Sequence, residues 1–174
     1  MITSKQPDIK NLITKVREYL PESKCSQVEQ AFEYAHACHK GQARESGEPY
    51  IGHPFKIAIF LAGLKMDSTT LAAALLHDVV EDTSMTTHHI EQEYGSWYAQ
   101  IVEGLTKVEY SPEDEKPFRT SQEATYKRML VALARDVRVL FIKLFDRLDN
   151  MRDMESMPRG KQRRISRETL NIYV

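Results

Sequence analysis

Cysteine is almost absent: Cys25 and Cys38 are the only two in 174 residues, and they form no CxxC pair. That count leaves no room for a disulfide framework or a thiolate zinc site. Glycine is scarce too, at 7 residues, and alternating runs of β-branched residues are missing, so the signals of an all-β fold are not there. No apolar run approaches the ~20 residues that a membrane span needs, and the opening MITSKQPDIK lacks the apolar stretch of a secretory signal. Neither charge is in excess. Lys+Arg 24 against Asp+Glu 25 gives a net charge of -1, whereas coating nucleic acid or an anionic membrane takes a basic surplus. The expectation is a cytoplasmic protein with no membrane partner and no direct nucleic-acid binding.

What is present reads as one globular domain, with 41% hydrophobic and 28% charged residues. Ala, Leu, Lys, Glu and Arg recur in helix-length blocks, so the fold class is all-α. The patterns predict helices over Asp8–Leu20, Ser23–Lys40, Pro54–Leu64 and from Asp67 or Ser68 through Leu76. Pro54 is expected at the first helical position. Further helices are predicted over Thr86–Tyr94, Ser96–Lys107, Ser121–Ala134, Val137–Met154 and Lys161–Tyr173, with a break at Gly95. Glu109–Thr120, with two prolines and mixed charges, is expected to be a mobile loop. The helix over Leu71–Leu76 is apolar nearly all round, which marks it as the buried centre. The last helical pattern runs out at Val174 without a cap, as a chain cut from a longer protein would.

The chemistry concentrates in LLHDVVEDT, residues 75–83, where His77-Asp78 closes that apolar helix. A carboxylate buried there without a partner costs several kcal/mol, so Asp78 needs a cation or strong donors. Glu81 and Asp82 follow four residues after His77 and Asp78 respectively. One further helical turn puts this second carboxylate pair above the first. There one carboxylate can take a proton from water activated by a metal. Two more candidates complete a ligand set: His53, at a helix start, and Asp146, in the apolar pattern LFIKLFDRLDN. Two His and two Asp form an N2O2 set that suits Mn²⁺ or Fe²⁺ at least as well as Zn²⁺. Taken singly each has a bland reading: HD is a common dipeptide, His53 can be a helix-start residue, and Asp146 can pair with Arg147 or Arg152. Together they point to metal-dependent hydrolysis.

GQARESGEPYIGHP (41–54), LAAALLHDVVEDT (71–83), IVEGLTKV (101–108) and VRVLFIKLFDRLDNMRDM (137–154) resemble, in that order, the hydrolase domain of RelA/SpoT homologues. The resemblance runs from about residue 25 to the end, and RRISRETLNIY looks like the junction to a synthetase domain. It implies an HD-domain helical bundle with a single metal site. It also implies a Mn²⁺-dependent 3′-pyrophosphohydrolase of ppGpp and pppGpp, yielding GDP or GTP and pyrophosphate. Over 1–174 the chain would be this hydrolase domain, with synthetase and regulatory domains as downstream partners. By position His53, His77, Asp78 and Asp146 become the ligands, Glu81 and Asp82 the catalytic carboxylates, and Arg44, Ser46 and Asn150 nucleotide contacts.

The departures from that pattern are Glu45 where a basic residue is common, Asp149 where histidine is usual, Phe145 for alanine and Asp153 for threonine. Three of them shift the site toward negative charge, so weaker or altered nucleotide preference is expected. Lys143 and Arg147 can steer phosphates or neutralise carboxylates, and the sequence does not separate the two. His36 and His39, three apart, read as solvent or turn contacts and His88 and His89 as exposed. Trp97 and Tyr98 read as packing. The cluster Arg159, Lys161, Arg163, Arg164 and Arg167 reads as a solvated helix face. Two other readings stay open: a non-catalytic nucleotide-binding regulatory domain, or an HD phosphohydrolase acting on another nucleotide.

Overall fold

The computed structural model describes residues 7–106, 127 and 129–173, so the Glu109–Thr120 segment lies outside the described residues. Among the described residues there are helices and one isolated bridge between Ala43 and Pro49, and no strand. The helices are α1 (Ile9–Arg17), α2 (Glu22–Cys38), α3 (Gly52–Gly63), α4 (Ser68–Leu76), α5 (Val79–Asp82), α6 (Thr87–Tyr94), α7 (Ser96–Leu105), α8 (Arg138–Arg152) and α9 (Arg159–Tyr173). A 3₁₀ turn, Met154–Ser156, joins the last two, and residues 129–135 are helical as well.

Several of these starts have a local cause. Asp8 caps α1 by accepting from the Lys10 amide at 3.0 Å, and Asp67 caps α4 by accepting from the Thr70 amide at 3.0 Å. Thr86 and His89 form a reciprocal capping box on α6. Gly95, at φ 94, makes the break between α6 and α7 in a conformation that side-chain-bearing residues avoid. Pro54 falls at the third position of α3 rather than the first. The turn bonds Gly52 N–H to Pro49 O and His53 N–H to Tyr50 O wind the chain into the helix early. Proline is tolerated there because its missing N–H belongs to the first turn, where no intrahelical acceptor exists.

α4 is the centre. Leu71, Ala72, Ala73, Ala74, Leu75 and Leu76 are all fully buried, and α4 touches α2, α3, α7 and α8. The alanines let these neighbours approach closely. Gly104 on α7 serves the same purpose, since a Cβ there would sit 2.3 Å from that of Ala132. The helical path beyond α4 loosens at His77 and Asp78 but does not reverse. The Asp82 amide bonds the Asp78 carbonyl at 2.9 Å, completing the extra turn that places Glu81 and Asp82 one turn above His77 and Asp78. α3 packs on both α4 and α8, so the start of α3, the end of α4 and the middle of α8 meet at one place.

Candidate metal centre

At that meeting point three ligand atoms, one each from His53, His77 and Asp146, lie within 4.8 Å of one another, and all three residues are buried. Asp78 is against them: its carboxylate oxygens are 3.5 Å from His53 Nε2 and 3.1 Å from His77 Nε2. Asp146 Oδ1 is 3.3 Å from His53 Nε2. The four residues picked by spacing are thus adjacent in space.

The tautomers follow from the outer partners. His77 Nδ1 is 2.8 Å from the Ala74 carbonyl, which can only accept, so Nδ1 carries the proton. His77 Nε2 is then turned to the cluster, and it is buried without a hydrogen-bond partner. His53 Nδ1 lies 2.7 Å from Asp149 Oδ2, and its proton goes to that carboxylate. Both Nε2 atoms face carboxylate oxygens, an arrangement that needs a cation between them, either a proton or a metal ion. Two imidazole nitrogens and two carboxylates, with one nitrogen orphaned in the interior, fit a divalent metal ion.

Electrostatics say the same. Burial alone would lower the His53 pKa, but hydrogen bonds to Asp146 and Asp149 and the Asp78 charge outweigh it and raise it to about 9. His77 is likewise raised: burial opposes its charge, and Asp78 overcomes that. Burial would raise Asp78 and Asp146, yet both are pulled below the usual carboxylate range, Asp78 by His77 and His53 and Asp146 by Lys143 and the imidazoles. The pocket is an anionic cage that draws positive charge in.

Around the cage, Asp146 also accepts from Asn150 Nδ2 at 2.6 Å and sits 3.3 Å from Lys143 Nζ. Lys143 donates to the Leu105 carbonyl as well, at 3.0 Å. Arg147 is not part of this group: it binds Glu168 at 3.1 Å and the Ile165 carbonyl at 3.4 Å, joining α8 to α9. Arg152 stacks over Phe60. Arg44 donates to Asp149 at 3.4 Å and Asn150 at 2.9 Å, and its Nε forms an ion pair with Asp153 at 3.0 Å without a hydrogen bond. Ser46 is exposed in the same loop, and Glu45 pairs with Lys161 at 3.3 Å. Of the departures in charge, Asp149 and Asp153 are therefore paired internally, and Glu45 is paired at the surface.

Glu81 is half-buried and Asp82 exposed. Two residues that sequence reasoning did not single out hold Asp82. The Tyr50 hydroxyl reaches the Asp82 carboxylate and also Asp78 Oδ2, at 2.9 Å, while Gln42 Nε2 donates to the Asp82 carbonyl at 2.7 Å. Burial, followed by the Asp78 and Asp82 charges, pushes the Tyr50 phenol far up, so it stays a donor. His39 stacks on Tyr50 with ring centroids 4.7 Å apart and bonds Gln42 through Nδ1 at 2.7 Å, the turn contact expected of it, although it is buried rather than solvated. His88 and His89 are exposed.

A family model described as an HD domain matches residues 31–174. The bifunctional (p)ppGpp synthase/hydrolase SpoT of Escherichia coli (strain K12) is 46% identical over 161 residues, covering 91% of this chain and 22% of that protein. A probable GTP pyrophosphokinase of Mycobacterium leprae (strain TN) is 44% identical over 167 residues, covering 95% of this chain and 21% of that protein. A solved structure described as a metazoan ortholog of SpoT that hydrolyzes ppGpp and plays a role in starvation responses is 29% identical. Its TM-score is 0.63, with 87% of this chain and 82% of that one covered. The chain spans about a fifth of the length of the curated relatives it matches.

Proposed function

The chain belongs to the HD-domain family, and from that premise we propose that it removes the 3′-pyrophosphate of ppGpp and pppGpp by hydrolysis, yielding GDP or GTP and pyrophosphate. One long relative is named for both synthase and hydrolase activities and another as a pyrophosphokinase, so the site has to decide which one this segment carries. The observation that carries the hydrolase reading is the buried cluster of His53, His77 and Asp146 with Asp78 beside it. A divalent cation held there, Mn²⁺ in our reading, supplies Lewis acidity toward water and toward phosphoryl oxygens. The similarity to a metazoan SpoT ortholog that hydrolyzes ppGpp supports the same substrate class.

The chain's own residues have distinct parts in this proposal. His53, His77, Asp78 and Asp146 hold the cation. Asp82, or Glu81 beside it, accepts the proton that the attacking water gives up, and the other carboxylate orients that water. Tyr50 and Gln42 keep Asp82 in place for this. Asn150, Ser46 and Lys143 border the nucleotide and its phosphates. Arg44, with its N–H edge occupied, meets the base through the flat face of its guanidinium. Arg147 reaches a phosphate only by leaving Glu168. In a longer chain, synthetase and regulatory domains follow this segment and act with it in the cytoplasm; among the described residues no helix is long and apolar enough to cross a membrane.

The test is direct. The 174-residue chain is stripped with chelator and incubated with ppGpp with and without Mn²⁺, and the products are separated by anion exchange. GDP and pyrophosphate that form only with metal, and not in Asp82→Ala, support the proposal. Bound but intact ppGpp would make this a regulatory nucleotide-binding domain instead.

A further inference from the structure

Arg44 stands at the hub of the groups that hold two of the candidate metal ligands from behind. Its guanidinium donates to Asn150 Oδ1 at 2.9 Å, and Asn150 in turn donates to Asp146 at 2.6 Å. It also pairs with Asp149 Oδ2 at 3.4 Å, the same oxygen that accepts from His53 Nδ1 at 2.7 Å. Its Nε lies 3.0 Å from Asp153 Oδ2, an ion pair that adds charge without a hydrogen bond. The Arg44 side chain is 8% exposed and that of Asp149 3%, so the bond between these two forms largely out of reach of solvent screening. The backbone of Arg44 is fixed as well. Its amide bonds the Glu48 carbonyl at 2.9 Å and its carbonyl accepts from Gly47 at 2.9 Å, in a turn that Gly47 permits at φ 83.

We propose that Arg44 is a positioning residue for metal capture. Through Asp149 it fixes His53 with Nε2 toward the cluster, and through Asn150 it fixes the Asp146 carboxylate. This rests on reading the His–Asp cluster as a metal centre. It also gives the two acidic departures a purpose, because Asp149 and Asp153 are what hold the guanidinium in place. A ligating histidine whose second nitrogen is bonded to a carboxylate is both more basic and less free to turn, and losing such a partner typically costs 10- to 100-fold in metal affinity.

Mn²⁺ affinity, measured by competition with a fluorescent chelator and without nucleotide, tests this. Asp149→Asn is expected to bind roughly 10- to 100-fold more weakly and Arg44→Gln roughly tenfold more weakly. The double variant should lose less than the sum of the two. Arg44→Lys should fail to restore binding, since an ammonium cannot span the Asp149 and Asn150 acceptors as a planar fork does. Additive losses, full rescue by lysine, or an unchanged affinity in Arg44→Gln would each overturn the proposal. Should a variant not fold, the wild-type chain loaded with Zn²⁺ still decides. Long-range ¹H–¹⁵N spectra should place the metal on His53 Nε2 and the proton on Nδ1, and the reverse would sink the idea. A wild-type chain that binds neither ion defeats the metal-centre reading itself, a different outcome from a wild type that binds and an Arg44→Gln that binds equally well.

Discussion

The two histidines of the site are fixed in different ways. His77 ends the most deeply buried helix, and its outer nitrogen is satisfied by the Ala74 carbonyl three residues back. His53 begins a helix, and its outer nitrogen is satisfied by Asp149, 96 positions along the chain. The first arrangement is local and comes with the helix. The second exists only once α3 and α8 have docked, and it places a charged acceptor behind the imidazole. His53 also lies among three carboxylates, at 2.7, 3.3 and 3.5 Å, whereas among the described residues Asp78 is the carboxylate in ion-pair reach of His77, with Asp146 farther off in the cluster. One side of the centre is therefore built into a helix, and the other is assembled by tertiary charge pairing.

Removing each ring in turn breaks that comparison most sharply. His53→Ala and His77→Ala should both abolish Mn²⁺ binding and metal-dependent ppGpp turnover. Their cost to the metal-free fold should differ. Losing His53 leaves Asp146 and Asp149 buried without their imidazole, and breaking a buried ion pair from one side costs about 3–5 kcal/mol. His77→Ala should cost clearly less. Urea denaturation in chelator measures both, and equal losses would mean that the acidic surroundings of His53 contribute nothing to stability.

The contrast extends to the carboxylates one turn above the candidate ligands. Asp82 takes no part in the cage, so Asp82→Ala should leave Mn²⁺ affinity intact while kcat falls by about 10²–10⁴-fold, the range for a lost proton acceptor. Tyr50→Phe keeps the packing on His39 but removes the hydroxyl that reaches Asp82. It should lower kcat roughly tenfold, in line with the loss of one hydrogen bond to a charged group. A kcat that does not move in Tyr50→Phe would show that Asp82 is held well enough by Gln42 and its own short helix.

These asymmetries explain what could be read from the sequence. The all-α class, the buried alanine-rich helix and the adjacency of His53, His77, Asp78 and Asp146 follow from local periodicity plus the oddity of polar residues in apolar helices. Those signals survive in one dimension. Tyr50 and Gln42 sit in the 41–52 turn, where no period marks a face, and their partner Asp82 lies 32 and 40 residues away. Asp149 was visible only as a departure in charge. Its spacing of three from Asp146 places both on one face of α8, which is the signal that could have linked it to the site. The pairing of Glu45 with Lys161 and of Arg147 with Glu168 depends on where α9 docks, which no local pattern encodes.

Proton competition sharpens the same contrast. His53 is held at about 9, above its ordinary 6.5, so the stability it gives the metal-free chain is complete below pH 6.5 and is lost as pH rises through about 9. Asp149 is lowered, chiefly by its bond to His53 against the burial that would raise it, so its share is present above its ordinary 3.8 and lost in acid. In chelator the melting temperature should be highest between these limits and fall from pH 6.5 to 9, by on the order of 3 kcal/mol in stability. Mn²⁺ should abolish the alkaline decline, because it replaces the proton that is being lost. An alkaline decline that persists with Mn²⁺ bound would place its origin outside the centre.

The smallest effect is expected at Glu45, the acidic departure that lies farthest from the cage's own pairing. Its contact with Lys161 is half-exposed at both ends, and such a pair is worth no more than about 1 kcal/mol, so Glu45→Lys should leave the melting temperature nearly unchanged. The substitution removes one negative charge, adds a positive one and frees Lys161. For a substrate carrying two pyrophosphates, KM for ppGpp should therefore fall several-fold at low salt, with kcat constant and the gain shrinking as ionic strength rises. The cage would be untouched, so Mn²⁺ affinity should stay the same. An unchanged KM would mean that the loop's charge does not bear on nucleotide binding, and would leave the inner departures, buried Asp149 and partly buried Asp153, as the acidic changes that can act on the site.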